Sequence, residues 1–206
     1  MDKNLKIYTK YFVDNKTERP GLFRAIKEKY NPKSAIYPGS FVHITPSLIF
    51  PKTVYIDNDR RIQSFFEDPE IKNWVDKNKE YKEDSSIQAF QQDYSKKLPI
   101  NIGKFDILVS QYAGFVSQDC KMYLKPGGLL LVNNSHADAG LAFLDPDYTL
   151  IAVAAQTKGR WSIKETDLDK YFIPKKGSHP PESMLLKTMR GVGYRTTASN
   201  YLFRKA

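Results

Sequence analysis

The 206 residues predict an α/β fold built on a mostly parallel sheet, and three observations carry that prediction. Short apolar runs recur between residues 34 and 132, each closed by a turn or an acid: Ser34–Tyr37, Thr53–Ile56, Ile87–Gln91, Phe105–Val109 and Leu129–Asn133. Such runs suit strands buried on both faces. Helical periodicity separates them, and that alternation favours parallel strands. Finally, Gly39, Asp57, Asp93 and Ser110 all fall at predicted strand ends. Ligands of such sheets bind at the carboxyl ends of the strands, so one crevice is expected to collect these four.

The elements follow in chain order. Residues 1–18 are polar with scattered aromatics (Tyr8, Tyr11, Phe12) and are expected to wrap the edge of the domain. Leu22, Ile26 and Tyr30 recur at helical spacing. That helix stops at Asn31-Pro32, because the residue before proline is pushed out of helical geometry. Thr45-Pro46 reads as a capped start of a short helix. Arg60–Phe66 is a predicted helix with Ile62, Phe65 and Phe66 inward, preceded by Asp59 as its cap. Asp68-Pro69 starts another, with Ile71, Trp74 and Val75 inward. Ser117 is expected to cap a helix running through Cys120, Tyr123 and Leu124. Tyr148–Ala154 is a sixth apolar run, and Asn200–Phe203 a last strand. Between them, residues 156–181 are polar, with Lys175–Pro181 loop-like, and Glu182–Arg190 reads as a helix with Met184, Leu185 and Met189 inward, closed by Gly191. One domain over residues 1–206 is expected, about seven strands, with an N-terminal extension (1–20) and a lid or insertion (156–190).

Composition narrows the function classes. The net charge is +9, from 32 Lys/Arg against 23 Asp/Glu. Residues 158–206 alone hold eleven Lys/Arg and four Asp/Glu. A basic surface favours polyanions or an anionic substrate; a lysine-rich solvated surface is the plainer reading. Nucleic acid stays open as a partner on charge alone, with no arginine-rich arm or RNA-binding aromatic motif beside it. The single Cys120 excludes an internal disulfide and suits a reducing compartment. No signal-like stretch follows Met1, and no run reaches the roughly 20 apolar residues of a membrane span. A cytoplasmic protein without a membrane partner is expected. No Cys/His cluster has metal-ligand spacing.

Four segments resemble the class I S-adenosylmethionine-dependent methyltransferases. They are Ala35-Ile-Tyr-Pro-Gly-Ser40, Asp57, Asp93 in Gln91-Gln-Asp-Tyr94, and Tyr123-Leu-Lys-Pro-Gly-Gly-Leu-Leu-Leu-Val132. The resemblance covers roughly residues 20–206. It implies a three-layer Rossmann-like methyltransferase sheet of about seven strands, the last antiparallel. It also implies S-adenosylmethionine as cofactor and methyl transfer to an unidentified acceptor, read as a small anionic molecule with a nucleic acid as the alternative. The implied cofactor contacts are Tyr37, Pro38, Gly39 and Ser40 in the loop, then Asp57 for the ribose and Asp93 with Tyr94 for the adenine. Ser110, Gln111 and Tyr112 would line the cofactor or acceptor pocket. The chain departs from the family where Phe41 and His43 stand in place of the second and third loop glycines, and Tyr37 in place of an acid. Either Phe41 blocks the close approach that glycine allows, or the loop takes another path with Ser40 and Thr45 toward the cofactor. The family's Asn/Asp-Pro-Pro-aromatic motif for base amines is absent at Ser110-Gln-Tyr-Ala. His43 and His136 are each a general base or a structural histidine. His179 is expected in solvent, Cys120 packed, and Asp138, Asp145 and Asp147 are read as loop acids. The rival to an enzyme is a non-catalytic nucleotide- or partner-binding protein in which Phe41 and His43 close the methionine site. A dinucleotide oxidoreductase would need three spaced glycines, which are absent.

Overall fold

The computed structural model describes residues 3–98 and 103–206. Met1 and Asp2 of the expected extension lie outside them. The chain divides into two compact units, Met1–Pro99 and Ile100–Ala206.

The first unit opens with α1 (Lys3–Tyr8), which continues as a π-helical turn over Thr9–Val13. Asp14 N–H donates to the Thr9 carbonyl five residues back. Next comes α2 (Pro20–Tyr30), with proline in its first turn and Asn31 left-handed at its end (φ 52°). Its buried stripe is Leu22, Phe23 and Ile26; Tyr30 is only half-buried. Strands β1 (Ser34–Pro38), β2 (Lys52–Asp57) and β3 (Ser86–Gln91) pair in the order β3-β2-β1, all parallel. Pro38 stands opposite Ile56, and Asp57 opposite Gln91, so the ends of all three strands are level. Between β1 and β2 lies α3 (Pro46–Ile49); between β2 and β3 lie α4 (Arg61–Phe66) and α5 (Pro69–Asn78). The Asp68 carboxylate accepts from Glu70 N–H and caps α5, as the sequence predicts. Ile71 and Val75 are buried, whereas Trp74 is half-buried. Thr45 does not cap α3; its hydroxyl bonds Tyr8 Oη instead.

The second unit holds β4 (Phe105–Ser110), α6 (Val116–Asp119), a 3-10 turn at Lys121–Tyr123, and β5 (Leu124–Val132). It continues with α7 (Asp138–Leu144), β6 (Tyr148–Thr157), β7 (Arg160–Lys164), a 3-10 turn at Leu168–Lys170, α8 (Glu182–Thr188) and β8 (Asn200–Lys205). The strand order is β4-β5-β8-β6-β7. β4 and β5 are parallel, and the final strand β8 runs antiparallel to β5 and β6.

The fold class is therefore the α/β class expected, with the last strand antiparallel. Among the described residues the strand count is eight, not about seven, because the polar stretch after β6 holds one more strand, β7. Lys158 (φ 49°) and Gly159 (φ 80°) are both left-handed, the requirement of a tight two-residue hairpin, and they join β6 to β7. The Leu124-Lys-Pro-Gly-Gly128 segment also differs from expectation. Leu124 pairs with Phe105 and Leu129 with Ile107, so Lys125–Gly128 bulge out of the ladder. Pro126 has no N–H to give, and Gly127 adopts φ 73°. The expected Ser117 helix is shorter and Ser117 lies inside it, buried. In α8 only Leu185 is buried; Met184 and Met189, expected inward, are 43% and 44% exposed. Met189, not Gly191, ends the helix, in left-handed geometry.

Candidate functional site

In the first unit the chain leaves β1 through Gly39 (φ 67°), whose N–H donates to the Ile56 carbonyl at 2.8 Å. That bond turns the loop across the end of β2, beside Asp57. Both carboxylate oxygens of Asp57 accept from backbone. Oδ2 takes Phe41 N–H at 2.7 Å and Oδ1 takes Asp59 N–H at 2.9 Å. Gly39, Ser40, Phe41 and Asp57 thus form one cluster, and Gln92 N–H donating to the Asp57 carbonyl brings the start of the Asp93 turn to it. Asp93 itself accepts from Ser95 N–H (3.0 Å) and Ser95 Oγ (2.7 Å), which hold its carboxyl below the usual range. Tyr94 is half-buried beside it.

Tyr37 and Pro38 are buried in β1. Tyr37 Oη lies 3.1 Å from His43 Nδ1, and His43 Nε2 lies 2.9 Å from the Glu18 carbonyl. A carbonyl only accepts, so Nε2 carries the proton and Nδ1 accepts from the tyrosine. Phe12 stacks on the ring at 4.4 Å and 7°. Burial pushes the His43 pKa down to about 3. This is a neutral structural histidine, not a general base. The buried Ser40 hydroxyl donates to the Phe41 carbonyl.

Phe41 has φ 48°, a left-handed backbone that aromatic residues rarely adopt. Its ring meets Tyr11 edge-on at 5.1 Å and lies under the Arg61 guanidinium at 4.5 Å. Arg61 is fixed by Asp59, with Nε–Oδ1 2.8 Å and Nη2–Oδ2 2.7 Å. That pairing lowers the Asp59 pKa to about 2. Asp59 also accepts from Arg61 N–H, but α4 starts at Arg61 with Arg60 in the cap position and no side-chain cap, so Asp59 is not the N-cap expected. The sequence reading missed Tyr11, Phe12 and Arg61 as neighbours of the loop. Only the aromatic spacing of the extension hinted at the first two.

In the second unit Ser110, Gln111 and Tyr112 follow one another off the end of β4. Ser110 Oγ donates to Asp138 Oδ2 at 2.6 Å. Ser117 donates to the same carboxylate through Oγ (2.5 Å) and N–H (3.1 Å). Asp138 is not the loop acid expected: it is 1% exposed in the first turn of α7, and burial raises its pKa to about 6 against these hydrogen bonds. A polar residue just past a buried strand was the only signal for it. Gln111 is buried and donates to the Ser110 carbonyl at 2.9 Å. Tyr112 has φ 58° and is 62% exposed. Asp145 and Asp147 do behave as loop acids, both pairing with Lys121. His136 bonds Ser135 Oγ at 3.0 Å, and exposed His179 stacks on Phe143. Cys120 is fully buried, and burial raises its thiol pKa. Among the described residues no group of three His, Cys, Asp or Glu is placed to hold a metal ion, and no helix is long and apolar enough to cross a membrane.

No protein-family model matches the chain, and no curated protein matches its sequence. Solved structures do resemble it at low identity. The N-methyltransferase NodS from Bradyrhizobium japonicum WM9 is 11% identical, with TM-score 0.48 over 93% of this chain and 96% of that one. An O-methyltransferase from Bacillus cereus in complex with SAH is 9% identical, with TM-score 0.48 over 79% and 89%. The O-methyltransferase TomG from Streptomyces achromogenes, involved in tomaymycin synthesis and solved with SAM, is 11% identical, with TM-score 0.47 over 79% and 87%.

Proposed function

We propose that this chain is an S-adenosylmethionine-dependent methyltransferase acting on a small anionic acceptor. One observation carries the reading: the left-handed Gly39 turn delivers its loop to a half-buried carboxylate, Asp57, at the level end of three parallel strands. Each Asp57 oxygen takes one backbone N–H, and a carboxylate oxygen has two acceptor positions. Once Phe41 N–H is released, Asp57 offers one oxygen to each of two vicinal hydroxyls, which fits a ribose. Tyr37, Pro38, Gly39, Ser40, Asp57, Asp93 and Tyr94 are the residues proposed to hold the cofactor in the first unit. Ser110, Gln111 and Tyr112 of the second are assigned to cofactor or acceptor. The bound cofactor supplies an electrophilic methyl group, so the protein's work is mainly alignment, and a general base is dispensable. Losing His43 as a base candidate leaves the reading intact.

The anionic acceptor rests on exposed Lys175, Lys176 and Lys187, in the segment proposed as lid or recognition element. Neutralising all three should raise the acceptor concentration needed for half-maximal rate; unchanged kinetics would sink that part.

The second reading is a non-catalytic nucleotide- or partner-binding protein. It is favoured by the Phe41 N–H on Asp57 Oδ2 and by Tyr11 and Phe12 covering the loop. Calorimetric titration with S-adenosylmethionine and S-adenosylhomocysteine separates the two. Micromolar binding, about −8 kcal/mol, abolished by Asp57→Ala supports the first; no heat with either ligand supports the second.

A further inference from the structure

We propose that the Ser40–Phe41 turn is a latch over the Asp57 carboxylate, braced by the N-terminal segment, and that a nucleoside ligand binds by displacing it. The inference rests on the assignment of Asp57 to a ribose.

The latch is strained. Phe41 sits in left-handed geometry at φ 48°, where glycine would be at ease. A non-glycine residue stays there only when its surroundings over-determine it. Three contacts do so: the 2.7 Å bond from its N–H to Asp57, the edge-on contact with Tyr11, and the Arg61 guanidinium over its ring. The first of these occupies an oxygen that a ribose hydroxyl would use.

The brace is itself irregular. Tyr11 and Phe12 reach the loop from the π-helical turn Thr9–Val13, and such turns recur at functional sites. Tyr11 is 42% exposed, so its release uncovers less surface than that of a core aromatic such as Tyr8. Its neighbours are anchored more firmly. Tyr8, 1% exposed, bonds Glu18 and Thr45, and His43 is locked between Tyr37 and Glu18. Gly39 N–H is fixed to Ile56 on the other side of the turn. Motion is thereby confined to two residues, Ser40 and Phe41, between a glycine pivot and buried Val42. The latch also accounts for aromatic residues in a loop where the family resemblance implies glycine. The turn closes over the carboxylate when nothing is bound, instead of lying permanently open.

A closed state populated ten to one weakens apparent affinity about tenfold. Phe41→Ala keeps the left-handed strain but removes the ring contacts. Tyr11→Ala removes the brace from an exposed position and leaves the loop intact. Each should tighten S-adenosylhomocysteine binding on the order of tenfold by calorimetry. Ligand should also speed amide hydrogen exchange in wild-type peptides spanning 39–43, although most ligands slow exchange where they bind. Binding only in the variants would support the latch as well. Equal affinity in wild type and both variants, with slowed exchange at 39–43, overturns the latch and leaves the methyltransferase reading standing. No binding by any of the three proteins overturns both.

Discussion

The hydroxyl of Ser110, at the end of β4, is bonded at 2.6 Å to the carboxylate of Asp138, which lies 28 residues later in the first turn of α7. Ser117 completes the set from α6, so one buried acid ties three elements of the second unit together. This bond commits the Ser110 hydroxyl to Asp138.

Asp138 should make stability depend on pH in the sense opposite to most acids. Its folded pKa, about 6, lies above the ordinary 3.8. Between those values the folded chain holds the proton and the unfolded chain does not, so stability falls as pH rises from about 4 to 6. The shift corresponds to roughly 3 kcal/mol. Asp138→Asn removes this dependence. Thermal melts should show the melting temperature of the variant gaining on wild type between pH 4 and pH 7. A constant difference across that range would refute the assignment.

His43 should act the other way over an overlapping range. Folding keeps it neutral with a pKa near 3, whereas the unfolded imidazole titrates near 6.5. Stability therefore drops as pH falls from 6.5 toward 3, with a slope of up to about 1.4 kcal/mol per pH unit. His43→Gln should flatten urea-denaturation stability over pH 4–6.5. At pH 7 it should cost roughly 1–3 kcal/mol, because the geometry of Tyr37 and Glu18 is matched to a ring.

The Tyr55 hydroxyl pairs with Ser47 Oγ at 2.6 Å and donates to the Ile44 carbonyl at 3.2 Å. Tyr55→Phe keeps the stack on Phe66 and strands the buried serine hydroxyl. A loss of about 1–2 kcal/mol is expected. The Tyr55→Phe/Ser47→Ala double variant should cost less than the two single losses combined, since both partners go together. Strict additivity in chemical denaturation would show that the pair is not coupled.

The two bulge glycines should differ. A Cβ at Gly128 would lie 2.7 Å from Leu124 Cδ1 and 2.9 Å from the Lys125 carbonyl oxygen. Gly128→Ala should therefore cost roughly 1–3 kcal/mol. At Gly127 there is open space but φ is 73°. Gly127→Ala should cost about 1 kcal/mol, and Gly127→Asn less, since asparagine tolerates that backbone. Melting temperatures of the four proteins, wild type included, check the ranking.

Much of this architecture was legible because burial writes itself into short apolar runs. Ala35-Ile-Tyr and Leu129-Leu-Leu-Val could hardly be anything but interior strands. Asp68-Pro69 announced a helix start through capping chemistry that is local in sequence. β7 escaped because Arg160-Trp-Ser-Ile-Lys164 is charged at both ends, as befits an outer strand, and its hairpin turn is Lys-Gly in place of the commoner Asn-Gly. The α8 face was misread because a seven-residue helix needs only one buried side chain, and Leu185 supplies it. In the candidate site, residue types at strand ends marked Gly39 and Asp57. What they touch was hidden, since Tyr11 and Phe12 reach the loop from 30 residues away in sequence. Asp138 was missed for the same reason: its partners Ser110 and Ser117 are distant, and only their convergence distinguishes it from Asp145 and Asp147.

The burial of Cys120 has a practical corollary. A thiol with no exposed surface, whose ionisation burial opposes, reacts slowly with maleimides and disulfides. It is also the only native cysteine. A cysteine placed at exposed Lys10 would therefore take a fluorophore selectively, with the wild-type background left in place. Release of the proposed Ser40–Phe41 latch from its Tyr11 brace would then be timed by dye emission in stopped flow, on a protein that differs from the native one by a single surface residue.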